Sequence, residues 1–128
     1  MAYGEVALLA TTKIIHNRIE PEKAWLLAAQ EVFKDKGASI KKGCPKGAFL
    51  GLCEEGYVSG VRKGSYTKSK LNKAYAVMAA ELIKKNDRYD DPKILWSEVL
   101  NELGADPNKK HNSQMDVVLS LRNNGHLR

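Results

Sequence analysis

Residues 69–86 read Ser-Lys-Leu-Asn-Lys-Ala-Tyr-Ala-Val-Met-Ala-Ala-Glu-Leu-Ile-Lys-Lys-Asn. Within this stretch Leu71, Ala74, Tyr75, Met78 and Leu82 recur at the i, i+3, i+4, i+7 spacing that lines one face of a helix. Ser69 stands where a side-chain cap would start it. This is the longest helix the sequence predicts, and it sets the fold class as all-α.

On its C-terminal side, Asp91-Pro92 opens a helix with Leu95, Trp96, Val99, Leu100 and Leu103 inward and Gly104 at its end. Asp106-Pro107 then begins a polar loop. Ser113 and Asp116 have the spacing of a capping box for a last helix, with Met115, Val118 and Leu119 inward and Gly125 as its stop.

On its N-terminal side, Tyr57, Val58, Val61, Tyr66 and Thr67 cluster around Gly60 and Gly64, a pattern for a short β-hairpin or a structured loop. Before it, Cys44-Pro45 starts a short helix carrying Phe49, Leu50, Leu52 and Cys53 and ending at Gly56. Gly47 and Gly51 interrupt that helix, each costing about 1 kcal/mol relative to alanine. Tertiary packing must therefore hold it, at a place where another backbone comes close. Further upstream, Glu20-Pro21 opens a helix with Trp25, Ala28, Ala29, Val32 and Phe33 along one stripe. Gly37 is expected to terminate it, and Ile40 to anchor a basic linker. A first helix over residues 3–17 presents Val6, Leu9, Ala10 and Ile14 on one face. The expectation is one helical domain over residues 1–128, with about six helices and at most one short hairpin near 57–67.

Of the 128 residues, 43% are hydrophobic and 28% charged, the balance of a folded soluble protein rather than a disordered one. Cys44 and Cys53 are too few for a disulfide framework and form no Cys-x-x-Cys pair, so a cytoplasmic location is expected. The apolar run 6–10 is too short for a signal-peptide core. The longest unbroken apolar stretch, residues 24–29, falls far short of the roughly 20 residues that span a bilayer, so no membrane partner is expected.

The net charge of +6 is unevenly distributed: the window 34–73 holds ten basic residues against three acids, a net +7. Lysines and arginines that neutralise phosphates release condensed counterions, a term that alone gives nucleic-acid affinity. The leading reading is thus a nucleic-acid-associated or regulatory protein that contacts DNA or RNA phosphates through Lys41, Lys42, Lys46, Arg62, Lys63, Lys68, Lys70 and Lys73. Tyr66 is the candidate for base stacking. The layout is similar to a helix-turn-helix module with a wing. Lysine lacks the planar fork with which arginine reads guanine, so sequence specificity should be weak. The plain alternative is that these lysines only solvate the surface.

A second class is a protein-interaction module in which Gly47, Gly51, Phe49 and the Tyr57 loop dock an acidic partner. An enzyme is third, its site assembled from Cys44, His16 and the Asp87, Asp90 and Asp91 cluster. The sequence lacks the phosphate-binding-loop pattern, Gly-x-Ser-x-Gly and His-Glu-x-x-His, and its three histidines have no ligand spacing. No catalytic residue, metal or cofactor is therefore assigned. Helix capping is the simpler account of both the aspartates and Cys44.

The run Gly43-Cys44-Pro45-Lys46-Gly47-Ala48-Phe49-Leu50-Gly51-Leu52-Cys53-Glu54-Glu55-Gly56 is distinctive, as are Tyr66-Thr67-Lys68-Ser69 and Asn112-Ser113-Gln114-Met115-Asp116-Val117-Val118-Leu119. With them the chain, from about Ile40 onward, resembles a family of small bacterial proteins of unknown function. The resemblance implies a bacterial cytoplasmic protein and lends no residue a catalytic role.

Overall fold

Proline and aspartate punctuation in the sequence becomes helix boundaries in the computed structural model, which describes residues 2–128. Among these there are six helices of ten to sixteen residues and one five-residue helix. They are α1 (Ala2–Asn17), α2 (Pro21–Phe33), α3 (Gly37–Lys41), α4 (Gly43–Glu54), α5 (Lys70–Lys85), α6 (Pro92–Leu103) and α7 (Gln114–Asn123). Pro21 and Pro92 occupy the first positions of α2 and α6, where a missing N–H is harmless. Asp91 caps α6 by accepting the Lys93 N–H at 2.8 Å, and Gly104 ends that helix at a left-handed φ of 64°. No helix among the described residues is long and apolar enough to cross a membrane.

One hydrophobic core joins the helices. Its central element is α7, which packs against α1, α4, α5 and α6 and buries Met115, Val117, Val118, Leu119 and Leu121. Every apolar side chain of α7 is buried, while Asp116, Ser120, Arg122 and Asn123 reach toward solvent. Trp25 of α2 packs against Phe49 of α4 with ring centroids 5.3 Å apart, and Tyr75 of α5 meets Trp96 of α6 edge-on at 4.9 Å. The most extensive helix contact is α4 on α5, which is where the two helix glycines serve. A β-carbon on Gly51 would lie 2.6 Å from the Lys73 Cβ and 2.7 Å from its Cα, and one on Gly47 would lie 2.9 Å from the Asn72 Cβ. The close backbone approach expected at these glycines is present.

Several local expectations are corrected. In α5 the buried residues are Tyr75, Ala76, Ala79, Ala80 and Ile83, while Leu71 is 64% exposed. The inward face runs through the alanines with Tyr75 and Ile83, while the closest approach of α4 is at Lys73, over Gly51. Leu103 is exposed rather than inward. Lys34, not Gly37, takes the left-handed turn after α2, with φ 54°, and Gly37 instead begins α3 within the segment read as a linker. The Ser113 side chain makes no cap; the Met115 N–H donates to His111 Nε2 at 3.0 Å. Ser69 stands before α5 without capping it, its hydroxyl accepting from Asn72 Nδ2.

The hairpin allowed for 57–67 does not form. Its strand-forming residues pair with the C-terminus instead: Val58 makes an isolated antiparallel bridge with Leu127, the Ser59 N–H donates to the His126 carbonyl, and the Arg128 N–H donates to the Tyr57 carbonyl. At the other end of the segment the backbone donors are taken by Glu54.

Candidate nucleic-acid interface

Glu54, the last residue of α4, organises the basic loop. One carboxylate oxygen, Oε1, accepts the N–H groups of Tyr66 at 2.7 Å and Thr67 at 3.2 Å, while Oε2 accepts from Lys73 Nζ at 2.5 Å. The Lys73 ammonium, followed by the two backbone donors, holds this carboxyl down at about 2, well below its ordinary 4.5. Lys73 also pairs with Glu55, and the two glutamates raise its own pKa, Glu54 first. Lys73 is therefore a structural cation, its charge already answered.

Tyr66 is fixed at both ends. Its hydroxyl donates to the Arg62 carbonyl at 2.5 Å, and its ring lies so close to Gly64 that a β-carbon there would sit 2.7 Å from Cζ. Burial, then the nearby Glu20, raises its phenol pKa. The ring is half-buried and lines two neighbouring open clefts.

The first cleft, of about 630 Å³, lies between the start of α4 and the loop before α5; Lys46 and Lys68 line it together with Ser65, Thr67 and Glu22. Here the two halves of the basic window meet. The second cleft, of about 640 Å³, lies beside the α1–α2 turn and brings Arg62 to Arg18 and Glu20, with Ile14, Ile15 and Ile19 among its apolar walls. Each cleft thus carries two cations and one glutamate. Among the described residues no carboxylate lies within 4 Å of Arg18, Lys46, Arg62 or Lys68.

The remaining candidates are scattered. Lys63 lines a separate cleft with Lys84, Arg128 and Glu55. Lys42 lies over the Tyr3 ring, 5.5 Å from its centre. Lys41 and Lys70 are exposed and line neither Tyr66 cleft. Arg18 was missed because it stands outside the basic window, and nothing in its neighbours marks it. Glu54 was missed because an acid in a basic segment read only as lost charge.

The residues weighed for catalysis are dispersed or engaged. His16 is exposed near the end of α1, and Cys44 is a half-buried free thiol at the start of α4. Asp87 and Asp90 receive Arg122 of α7, each at 3.1 Å, while Asp91 caps α6. Cys53 is buried, and burial pushes its thiol pKa far up, away from the thiolate that nucleophilic chemistry needs.

Fold and site together define an all-α protein with paired, solvent-open cationic clefts around one pinned aromatic ring. The chain belongs to a family of unknown function, DUF6979, whose profile matches residues 1–128 and so extends the resemblance, which began at about Ile40, to the N-terminal helices. No curated protein and no solved structure matches it.

Proposed function

We propose that this protein binds nucleic acid through phosphate contacts centred on Tyr66, acting as one domain in a bacterial cytoplasm. The observation that carries the reading is that Lys46 and Lys68, from opposite halves of the basic window, line one cleft with the Tyr66 ring. Lysine ammonium groups suit this role because they meet phosphate oxygens as point charges without demanding a fixed geometry. Ser65 and Thr67 add hydroxyl donors beside them. The α4 N-terminus on the same cleft contributes the positive end of its dipole. Lys73 leaves the contact set because Glu54 and Glu55 hold it. Lys41, Lys42, Lys63 and Lys70 become peripheral, adding long-range attraction. The two free cysteines support a reducing compartment.

The test is a salt titration of binding to labelled oligonucleotides by fluorescence anisotropy. Affinity is expected at about 50 mM salt and should fall steeply by about 200 mM. The double variant K46Q/K68Q should weaken binding at least about tenfold and flatten the log–log salt slope by about 1.4, two contacts at about 0.7 each on a single strand. E22Q, which removes the acid from the first cleft, should tighten it. A wild-type protein that binds neither DNA nor RNA at about 50 mM salt would end the reading. Polyglutamate competing as well as the oligonucleotide would shift it to an acidic protein partner.

A further inference from the structure

We propose that the Arg18–Arg62 cleft is a second phosphate subsite and that Tyr66, standing between it and the Lys46–Lys68 cleft, takes a base, so that the ligand is single-stranded. The inference rests on the reading above and narrows its ligand. Both clefts share the Tyr66 ring, and each brings two cations to it from different elements. A single strand supplies what this order demands, with phosphates on either side of a base that is free to stack on an aromatic face. A duplex keeps its bases paired inside and offers the ring nothing.

Arg18 supplies an independent argument. It follows α1 at a left-handed φ of 56°, its N–H donating to the Ile14 carbonyl at 3.1 Å. Glycine or asparagine suits such a helix end, because a β-carbon crowds the backbone there. The chain instead carries an exposed arginine whose charge meets no carboxylate within 4 Å among the described residues, and it lines the second cleft beside Arg62. The Tyr66 platform is set in advance, its hydroxyl and backbone N–H both bonded, so stacking on it requires little further ordering.

The experiment compares R18G and R18N with the wild type, using an eight-nucleotide single strand and a duplex of equal length. Both variants suit the backbone at that position, so R18G should melt at or above the wild-type temperature. Each should nonetheless bind the single strand about five- to tenfold more weakly, with the salt slope flattened by about 0.7. Y66L should lose about tenfold, and the wild type should favour the single strand over the duplex by about tenfold. If R18G and R18N bind as the wild type does while K46Q/K68Q does not, the second subsite is wrong and the broader reading stands. Equal affinity for duplex and single strand overturns the inference alone. No binding of either ligand overturns both.

Discussion

Two charged loops lead into neighbouring helices, and the structure treats them in opposite ways. The loop before α5 carries Arg62, Lys63 and Lys68; its anchor, Glu54, takes Lys73 of α5 with one oxygen, but from the loop itself it takes only the backbone N–H groups of Tyr66 and Thr67. Those three cations are left pointing at clefts. The loop before α6 carries Asp87, Asp90 and Asp91, and its anchor, Arg122, takes carboxylates and backbone together. Its guanidinium donates to the Asp87 carbonyl and carboxylate, the Tyr89 carbonyl and the Asp90 carboxylate. A charge cluster whose anchor holds the backbone remains available to a ligand; one whose anchor also holds the side chains is spent on the fold.

The largest effect expected from this difference is at Glu54. E54A removes the acceptor for two loop N–H groups and leaves Lys73 with Glu55 alone, and hydrogen bonds to a charged group contribute roughly 1.5–3 kcal/mol each before the loop relaxes. A net loss of about 2–4 kcal/mol in urea unfolding is expected, with Tyr66 held only through its hydroxyl and oligonucleotide affinity lowered. The pH dependence has the same origin. The folded carboxyl, at about 2, lies below its ordinary 4.5, so its contribution is complete above about 4.5 and is lost as pH falls toward 2. In E54Q that part of the acid dependence should be missing. An acid-unfolding curve that E54Q leaves unchanged would remove Glu54 as the anchor.

The seam beneath the basic loop gives the next largest effect. In G51A the new β-carbon would meet the Lys73 Cβ and Cα at 2.6 and 2.7 Å, and backbone cannot swing aside as a side-chain tip can. Overpacking of this kind costs about 1–3 kcal/mol, outweighing the roughly 1 kcal/mol that alanine returns in helix propensity. Because the contact is with Lys73, the strain should also reach the Glu54 cluster. A stabilised G51A, measured by thermal melting, would mean that α4 and α5 are not so close.

How much of this was legible in the sequence follows from the range of each interaction. Helix starts at Pro21 and Pro92, the stop at Gly104 and the close approach at Gly47 and Gly51 were readable, because residue type and immediate neighbours decide them. The inward face of α5 is not legible from apolar size: Leu71 is exposed, while Ala76, Ala79 and Ala80 are buried. Which side of α5 is buried depends on α4, α6 and α7, and all three partners lie outside the stretch whose periodicity is read. The hairpin expectation failed for a similar reason: Val58 has strand chemistry, but its partner is Leu127 at the far end of the chain. At the candidate site, Lys46, Lys68, Arg62 and Tyr66 were named from charge and aromaticity. Arg18 was not, since nothing local links the end of α1 to a loop more than forty residues later. The anchor Arg122 is invisible for the same cause, its partners Asp87 and Asp90 standing 35 and 32 residues away.

A smaller effect is expected at Arg122. R122A takes the donors from two backbone carbonyls and two carboxylates in the 87–91 loop. The Asp87 carbonyl is exposed and the Tyr89 carbonyl half-buried, so water replaces part of what is lost and about 1–2 kcal/mol is expected. Nucleic-acid binding should not change, which separates this loop from the basic one. Faster amide hydrogen exchange confined to residues 87–91 and the start of α6 would locate the effect. A loss as large as that of E54A would mean that the two anchors are equivalent after all.

The smallest effect tests which half of the Arg122 clamp matters. The Asp87 and Asp90 side chains are 84% and 88% exposed, so their pairs with the guanidinium lie in high dielectric and are screened by salt. Pairs of this kind contribute about 0–1 kcal/mol, and here the backbone carbonyls would keep Arg122 in place without them. D87N/D90N is therefore expected to lie within about 0.5 kcal/mol of the wild type and to keep the slow exchange of the loop. The same double substitution removes two negative charges far from Tyr66 in sequence, so its effect on oligonucleotide affinity should be a slight tightening that vanishes above about 0.15 M salt. If D87N/D90N instead matched R122A in both stability and exchange, the carboxylates would be the true anchor points. The acidic loop would then be held by its charges and the basic one by its backbone, and the contrast between them would be sharper.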